Sequence, residues 1–270
     1  MDLYDSFNIR STFFFTGYIA RKFPKVVLLV SNRGHEIASH GLSHRKEQGF
    51  DILNYEEQKY HLNESKKILE DVSGKEVISF RAPALRVNRY TSFALADAGY
   101  KIDSSVASQR FDLFMSFGIK NKIKWLIAPR TPYLTSENNL LKRGKGPIIE
   151  VPLSACAFPY VGTTLRIFPL ISRIVRNVLM IENSINYKPI VFDIHPNEFI
   201  DESQKKRNIE RRSNSLFEYL MADFLRSKLK VRNLGLSAFK LYKKELSAFQ
   251  KKGFKAVTVK DYCMQTGLLK

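Results

Sequence analysis

Cysteine is nearly absent from this chain, with two residues in 270, Cys156 and Cys263. Two cysteines so far apart give neither a disulfide framework nor metal-ligand spacing, so a reducing compartment is the default expectation. Long apolar runs are missing as well. The longest unbroken one, Val26–Val30, is far short of the roughly 20 residues that a membrane span needs. No apolar leader follows the first methionine either, because Asp2, Asp5 and Arg10 interrupt it. The chain as it stands therefore reads as cytoplasmic. There is no repeat, low-complexity segment or linker, and a single domain over residues 1–270 is expected, with 201–270 as a basic helical end plus a closing strand.

Acidic residues are also in short supply. Against 44 Lys and Arg stand 26 Asp and Glu, for a formal charge of +18. The last quarter is the most lopsided, with 17 basic and 7 acidic residues over 201–270. Such an excess suits nucleic acid, anionic lipid headgroups or an acidic polymer, or it is a solvated basic surface. Lys240–Lys252 mixes Lys with Leu and Phe at helical spacing and no nucleic-acid motif is present, so nucleic acid is not the expected partner.

The hydrophobic content of 44%, with 12% aromatic, is that of a core-forming protein. Strand-like and helix-like segments alternate. Strands are expected at Ser11–Phe15, Glu36–Ser39, Val77–Phe80, Lys101–Asp103, Ile148–Leu153, Lys188–Ile194 and Phe254–Val259. Helices are expected at Pro24–Asn32, from a capping box at Asn54 and Glu57 to Gly74, at Arg89–Ala98, at Leu165–Asn183, and near 208–230 and 236–252. Ser108–Gly146 reads as an irregular excursion. The alternation predicts an α/β fold of parallel strands and crossover helices.

Chemistry concentrates in Gly34–His44. His40 and His44 form an H-x3-H pair, a spacing that puts two imidazoles on one metal ion, or else an ordinary pair of loop histidines. His35 is expected to pack locally, and His61 to be solvated on a polar helix. Arg81, Asp103 and His195 each follow a different predicted strand, on the face where α/β barrels build active sites. Asp193 lies two residues before His195, so on a strand both would share a face, where Asp193 would orient His195 or pair with Arg81.

These pieces together resemble the polysaccharide deacetylases of carbohydrate esterase family four, with the nodulation-factor deacetylase homology domain. Thr12-Phe13-Phe14-Phe15 resembles the family's T-F-F strand, and Ser39-His40-Gly41-Leu42-Ser43-His44 its histidine motif. Phe80-Arg81-Ala82-Pro83 is similar to the R-x-P motif, and Gly99–Ser105 to its G-[FY]-x-x-D-S-S segment. Ile194-His195-Pro196 resembles the late histidine motif and Gly253–Val259 the closing strand. The resemblance implies a distorted (β/α) barrel and metal-dependent removal of N-acetyl groups from an amino-sugar polysaccharide. On it, His40 and His44 would bind a divalent ion, Zn²⁺ first and Co²⁺ as an alternative. His195 would protonate the departing amine and Arg81 would charge-pair the catalytic carboxylate. Pro83 and Ala84, with Asp103 and Ser104, would lie at the substrate and its oxyanion.

One departure accompanies the match. The family's catalytic base and third metal ligand are aspartates on a strand well before T-F-F, and here only 11 residues precede Thr12. Asp2 and Asp5 fall where the family has the helix leading into T-F-F. A domain lacking its amino-terminal strand is therefore expected, weak in metal binding and inactive by itself. The alternative is a non-catalytic homologue that binds glycan or an anionic surface. Leu165–Asn183, where Arg166, Arg173 and Arg176 flank apolar residues, could rest on an anionic membrane carrying lipid-linked glycan. It could equally pack on the barrel with a basic outer stripe.

Overall fold

Aromatic and β-branched side chains fit the half-buried pleat of a strand, and Thr12-Phe13-Phe14-Phe15 forms one. The computed structural model describes residues 1–109, 123–202, 229 and 231–269. They form two compact units, the first built from 1–106, 131–152 and 254–270, the second from 107–130 and 153–253.

In the first unit, strands β1 (Thr12–Phe15), β2 (Glu36–Ser39), β3 (Ser79–Phe80) and β4 (Ile102–Asp103) run parallel in that order. Next come β5 (Tyr133–Ser136), β6 (Asn139–Arg143) and β7 (Ile149–Glu150). β7 continues the parallel set beside β4, and the antiparallel β5 and β6 complete a seven-stranded sheet in the order β1-β2-β3-β4-β7-β5-β6. The α/β fold is as expected, and the sheet is open among the described residues. The hairpin of β5 and β6 replaces part of the irregular stretch expected over 108–146. Residues 110–122 of that stretch lie outside the described residues.

Helices α1 (Asp2–Ser6), α2 (Gly17–Lys22), α3 (Pro24–Asn32), α4 (Tyr55–Ser73) and α5 (Thr91–Asp97) connect these strands. Asp2 and Asp5 sit in α1 and both pair with Arg33, at 2.8 and 2.9 Å. The capping box of Asn54 and Glu57 starts α4, and Gly74 at φ +64° ends it. Fully enclosed Leu62, Leu69, Phe80, Leu95 and Ile102 form the core of this unit.

The second unit holds a short hairpin, β8 (Ala155–Cys156) with β9 (Phe158–Pro159), then α6 (Gly162–Ile167), α7 (Pro169–Asn186) and α8 (Leu236–Lys251). The single helix expected over 165–183 is two helices. Proline lacks the N–H that would continue a helix but fits its first turn, so Pro169 ends one helix and begins the next. Tyr160, Val175 and Leu179 form the core with Phe192 and Phe249. The strand expected at 188–194 reduces to one parallel bridge, Val161 to Asp193, helped by a hydrogen bond from Ser154 N to Val191 O of 3.1 Å. Of the helix expected near 208–230, all but Leu229 lies outside the described residues.

The closing strand expected at 254–259 is not formed. The chain there is extended without ladder pairing and enters α9 (Val259–Gln265). Its junction is nevertheless tied to the first strands: Val259 N donates to Thr12 Oγ1 at 2.8 Å and Lys260 N to Glu36 Oε2 at 3.1 Å. Glu36 also accepts from Thr12 Oγ1 and Ser79 Oγ, at 2.6 and 2.5 Å. Cys263 of α9 is fully buried, and burial pushes its thiol up to about 12.

Candidate active site

The carboxyl ends of β2, β3 and β4 carry seven of the nine residues singled out from sequence. β2 hands over to His40, whose N–H extends the ladder by donating to Phe15 O at 2.7 Å. Gly41 then turns the chain at φ +72°, where a Cβ would stand 3.2 Å from the Phe50 ring. Only glycine enters such a turn without strain, and the turn brings the His44 ring centroid to 5.4 Å from that of His40.

His40 Nδ1 lies 2.6 Å from the Arg81 carbonyl oxygen. A carbonyl accepts only, so Nδ1 is the donor in this contact. Fixing one ring nitrogen on a backbone carbonyl is the usual way a ligating histidine is oriented. Neutral imidazole nitrogens are donors that zinc favours, and these two residues fit a divalent ion in that respect. Among the described residues no group of three or more His, Cys, Asp or Glu is placed to hold a metal, so the pair accounts for two ligands and no more.

Arg81 is buried on the face of Phe14, its guanidinium carbon 4.3 Å from the ring centroid. Its Nε donates to Ser104 O at 2.9 Å and its terminal nitrogen to Ser104 Oγ at 2.8 Å. Ser104 Oγ donates onward to Val151 O at 2.7 Å. Beyond it, Pro83 is buried and Ala84 exposed, with Ala84 at φ +53° and Leu85 at φ +56°. Non-glycine residues pay about 1–2 kcal/mol each for the left-handed region. Strain of this kind is held where surrounding structure over-determines it. Within the described residues the Ala84 N–H makes no hydrogen bond, so it is a free donor on an exposed turn.

Asp103 and Ser104 are placed behind Arg81 and not at an open substrate position, for both are fully buried. The register of β4 and β7 sets Asp103 opposite Glu150, also fully buried. Asp103 Oδ1 accepts from Ser105 Oγ at 2.6 Å, and Ser105 Oγ accepts from Ala82 N at 2.8 Å. Glu150 Oε1 accepts from Val106 N at 3.0 Å. Burial raises both carboxyls above their ordinary range; the Asp103 charge adds to the rise at Glu150, and Ser105 limits it at Asp103. Glu150 was missed from sequence, although a lone acid in the apolar run Ile148–Leu153 is itself a signal, since buried acids need a partner.

His195 and Asp193 belong to the second unit. The His195 side chain is 59% exposed and its Nδ1 stands 3.6 Å from Glu198 Oε1. Glu198 is buried and forms an ion pair of 2.6 Å with buried Arg166. Asp193 is half-buried at the one bridge of an irregular segment, so no strand sets it on a common face with His195. Glu198, three residues after His195, was not anticipated. His35 packs as expected, its Nδ1 accepting from Ser11 N at 3.2 Å. His61, expected in solvent, is buried edge-on to Phe50. Burial lowers the pKa of both rings.

Residues 1–102 match the family model for polysaccharide deacetylases. A peptidoglycan deacetylase from Helicobacter pylori is 24% identical over 111 residues, 41% of this chain and 37% of that protein. A peptidoglycan deacetylase-like protein from Gibberella zeae is 28% identical over 103 residues, 38% of this chain and 30% of that one. The match thus spans about a third of the curated relatives' length. A solved structure from Mycobacterium smegmatis, described as a polysaccharide deacetylase, shares the fold. Its TM-score is 0.52 at 22% identity, over 72% of this chain and 61% of that one.

Proposed function

We propose, from the match of residues 1–102 to the polysaccharide deacetylase family, that this chain serves the hydrolytic removal of N-acetyl groups from an amino-sugar glycan. The observation that carries the reading is the hydrogen bond between His40 Nδ1 and the Arg81 carbonyl, which orients the His40 ring beside that of His44. His40 and His44 would hold a divalent ion, zinc or cobalt, that polarises the acetamide carbonyl when bound. The Ala84 N–H, fixed on a strained turn, donates to the oxygen as it gains charge. Arg81, held by Ser104 and Phe14, presents its positive charge to a carboxylate base. By the family resemblance, His195 would deliver a proton to the departing amine.

A second reading, a glycan-binding homologue without turnover, is favoured by the absence of a third ligand among the described residues. One experiment separates the two. Zn²⁺ or Co²⁺ is titrated into the chain by calorimetry, and acetate release from an N-acetylated chitooligosaccharide is followed in parallel. Uptake that the double variant His40→Ala/His44→Ala abolishes, with metal-dependent acetate release, supports the hydrolase. Uptake with glycan binding and no acetate supports the binding homologue. Equal uptake by the double variant removes the metal assignment. Where acetate release is found, His195→Ala should lower turnover by ~10²–10⁴ without changing metal uptake.

A further inference from the structure

The outer face of α7 is apolar where sequence suggested a basic stripe. Leu170, Ile174, Ile181 and Ile185 are 74%, 64%, 59% and 75% exposed, and Tyr187, just past the helix, is 86% exposed. Steps of four, seven and four residues put the aliphatic side chains on one stripe of an α-helix. Ser172, Val175 and Leu179 are the buried residues of the same helix, so the stripe is a second apolar face and not the packing face. Of the arginines expected to line it, Arg166 is buried against Glu198 and Arg176 is paired with Glu245. Arg173 remains exposed beside the stripe.

The exposed charges of α7 and α8 are of one sign. Neither α7 nor α8 has an exposed acidic side chain: Glu182 is tied to Arg130 and Lys188, and Glu245 is buried on Tyr160 and Arg176. α8 exposes Lys240, Lys243, Lys244 and Lys251. Monomeric soluble proteins rarely leave a contiguous aliphatic surface open without a use for it. A second copy meeting it through the same face would bring like cations together, with no exposed acid on either α7 or α8 to answer them. An anionic bilayer meets both demands, since its acyl boundary takes the stripe and its headgroups take the cations. No helix among the described residues is long and apolar enough to cross a membrane, which leaves α7 lying in the interfacial plane.

We propose that the second unit docks on an anionic membrane surface through Leu170, Ile174, Ile181 and Ile185 of α7, with Tyr187 at the headgroup level. The docking stands on exposure and charge alone. Combined with the deacetylase reading, on which this clause rests, it makes a lipid-linked N-acetylated glycan the fitting substrate class.

The test is flotation of the full chain with vesicles of phosphatidylcholine alone and of phosphatidylcholine with phosphatidylglycerol. The chain is expected to float with the anionic vesicles and poorly with the neutral ones. Ile174→Ser/Ile181→Ser and Leu170→Ser/Ile185→Ser should each lower the partition by at least ~10-fold, with unchanged thermal melting because the side chains are exposed. A chain that fails to float with anionic vesicles overturns the proposal. So does flotation that both double variants retain, which would assign binding to the basic surface alone. A concentration-dependent dimer in light scattering, lost in the variants and unaffected by vesicles, would make the face a contact between copies and also overturn it. None of these outcomes bears on metal uptake or acetate release.

Discussion

Glu150→Gln should remove a pH dependence from the stability of the first unit. Asp103 and Glu150 face each other across β4 and β7, both fully buried. Asp103 Oδ2 and Glu150 Oε2 are buried without a hydrogen-bond partner, a need that one proton shared between the two carboxyls would meet. Burial raises Asp103, while burial and the neighbouring charge raise Glu150 well above the ordinary value; Arg81 opposes the latter only in part. The folded chain therefore keeps a proton that the unfolded chain releases. A raised folded pKa gives stability that is complete below the ordinary carboxylate range and is lost as pH climbs toward the folded value. One proton corresponds to a slope of at most about 1.4 kcal/mol per pH unit. Glutamine keeps the shape, and its amide donates to Asp103 without any proton uptake. Urea midpoints measured from about pH 5 to about pH 8 should fall with pH in the parent and stay flatter in Glu150→Gln. Groups common to both chains cancel in the difference. Parallel profiles would refute the shared proton. Glu150→Ala, which leaves a cavity and a lone buried acid, should cost about 2–4 kcal/mol throughout.

At Ala84, φ +53° predicts that Ala84→Gly stays within about 1 kcal/mol of the parent in chemical denaturation, whereas Ala84→Val destabilises by more than that. Glu198→Ala strands the buried Arg166 charge and should cost about 3–5 kcal/mol, a loss that Arg166→Met in the same chain largely restores. His61 is held neutral by burial, so its contribution is present above the ordinary histidine pKa and lost as pH falls through it. His61→Leu should accordingly flatten the acid limb of the melting profile, and an unchanged limb would place the ring in solvent after all.

What was legible in the sequence follows the range of the forces involved. The capping box at Asn54 and Glu57, the proline-led α3 and the aromatic β1 are local signals, and each element stands where it was expected. The carboxyl ends of β2, β3 and β4 likewise carry the residues read from motifs. The errors lie where a partner far along the chain decides. Phe254–Val259 has the composition of a strand, yet the backbone at its end finds side-chain acceptors on β1 and β2 instead of a ladder. Lys188–Ile194 has the composition of a strand too and meets a single bridge. Glu150 and Glu198 matter through Asp103 and Arg166, neither of which is a sequence neighbour, and polar Gln58 and Glu57 near His61 concealed that its ring meets Phe50.

The hydrogen bond between Val259 N and Thr12 Oγ1 joins residues 247 positions apart, and it has a consequence for biogenesis. The first unit is interrupted twice, by 107–130 and by 153–253, and its last piece begins only at residue 254. On a ribosome adding about 5–20 residues per second, β1 and β2 would wait about 10–50 seconds for the segment that caps Thr12 and Glu36. Contacts of such long sequence separation form late and slowly. During that interval Thr12 Oγ1 and Glu36 Oε2 lack the backbone donors of Val259 and Lys260, so a chaperone that shields β1 and β2 would raise the yield of native protein without altering the finished molecule.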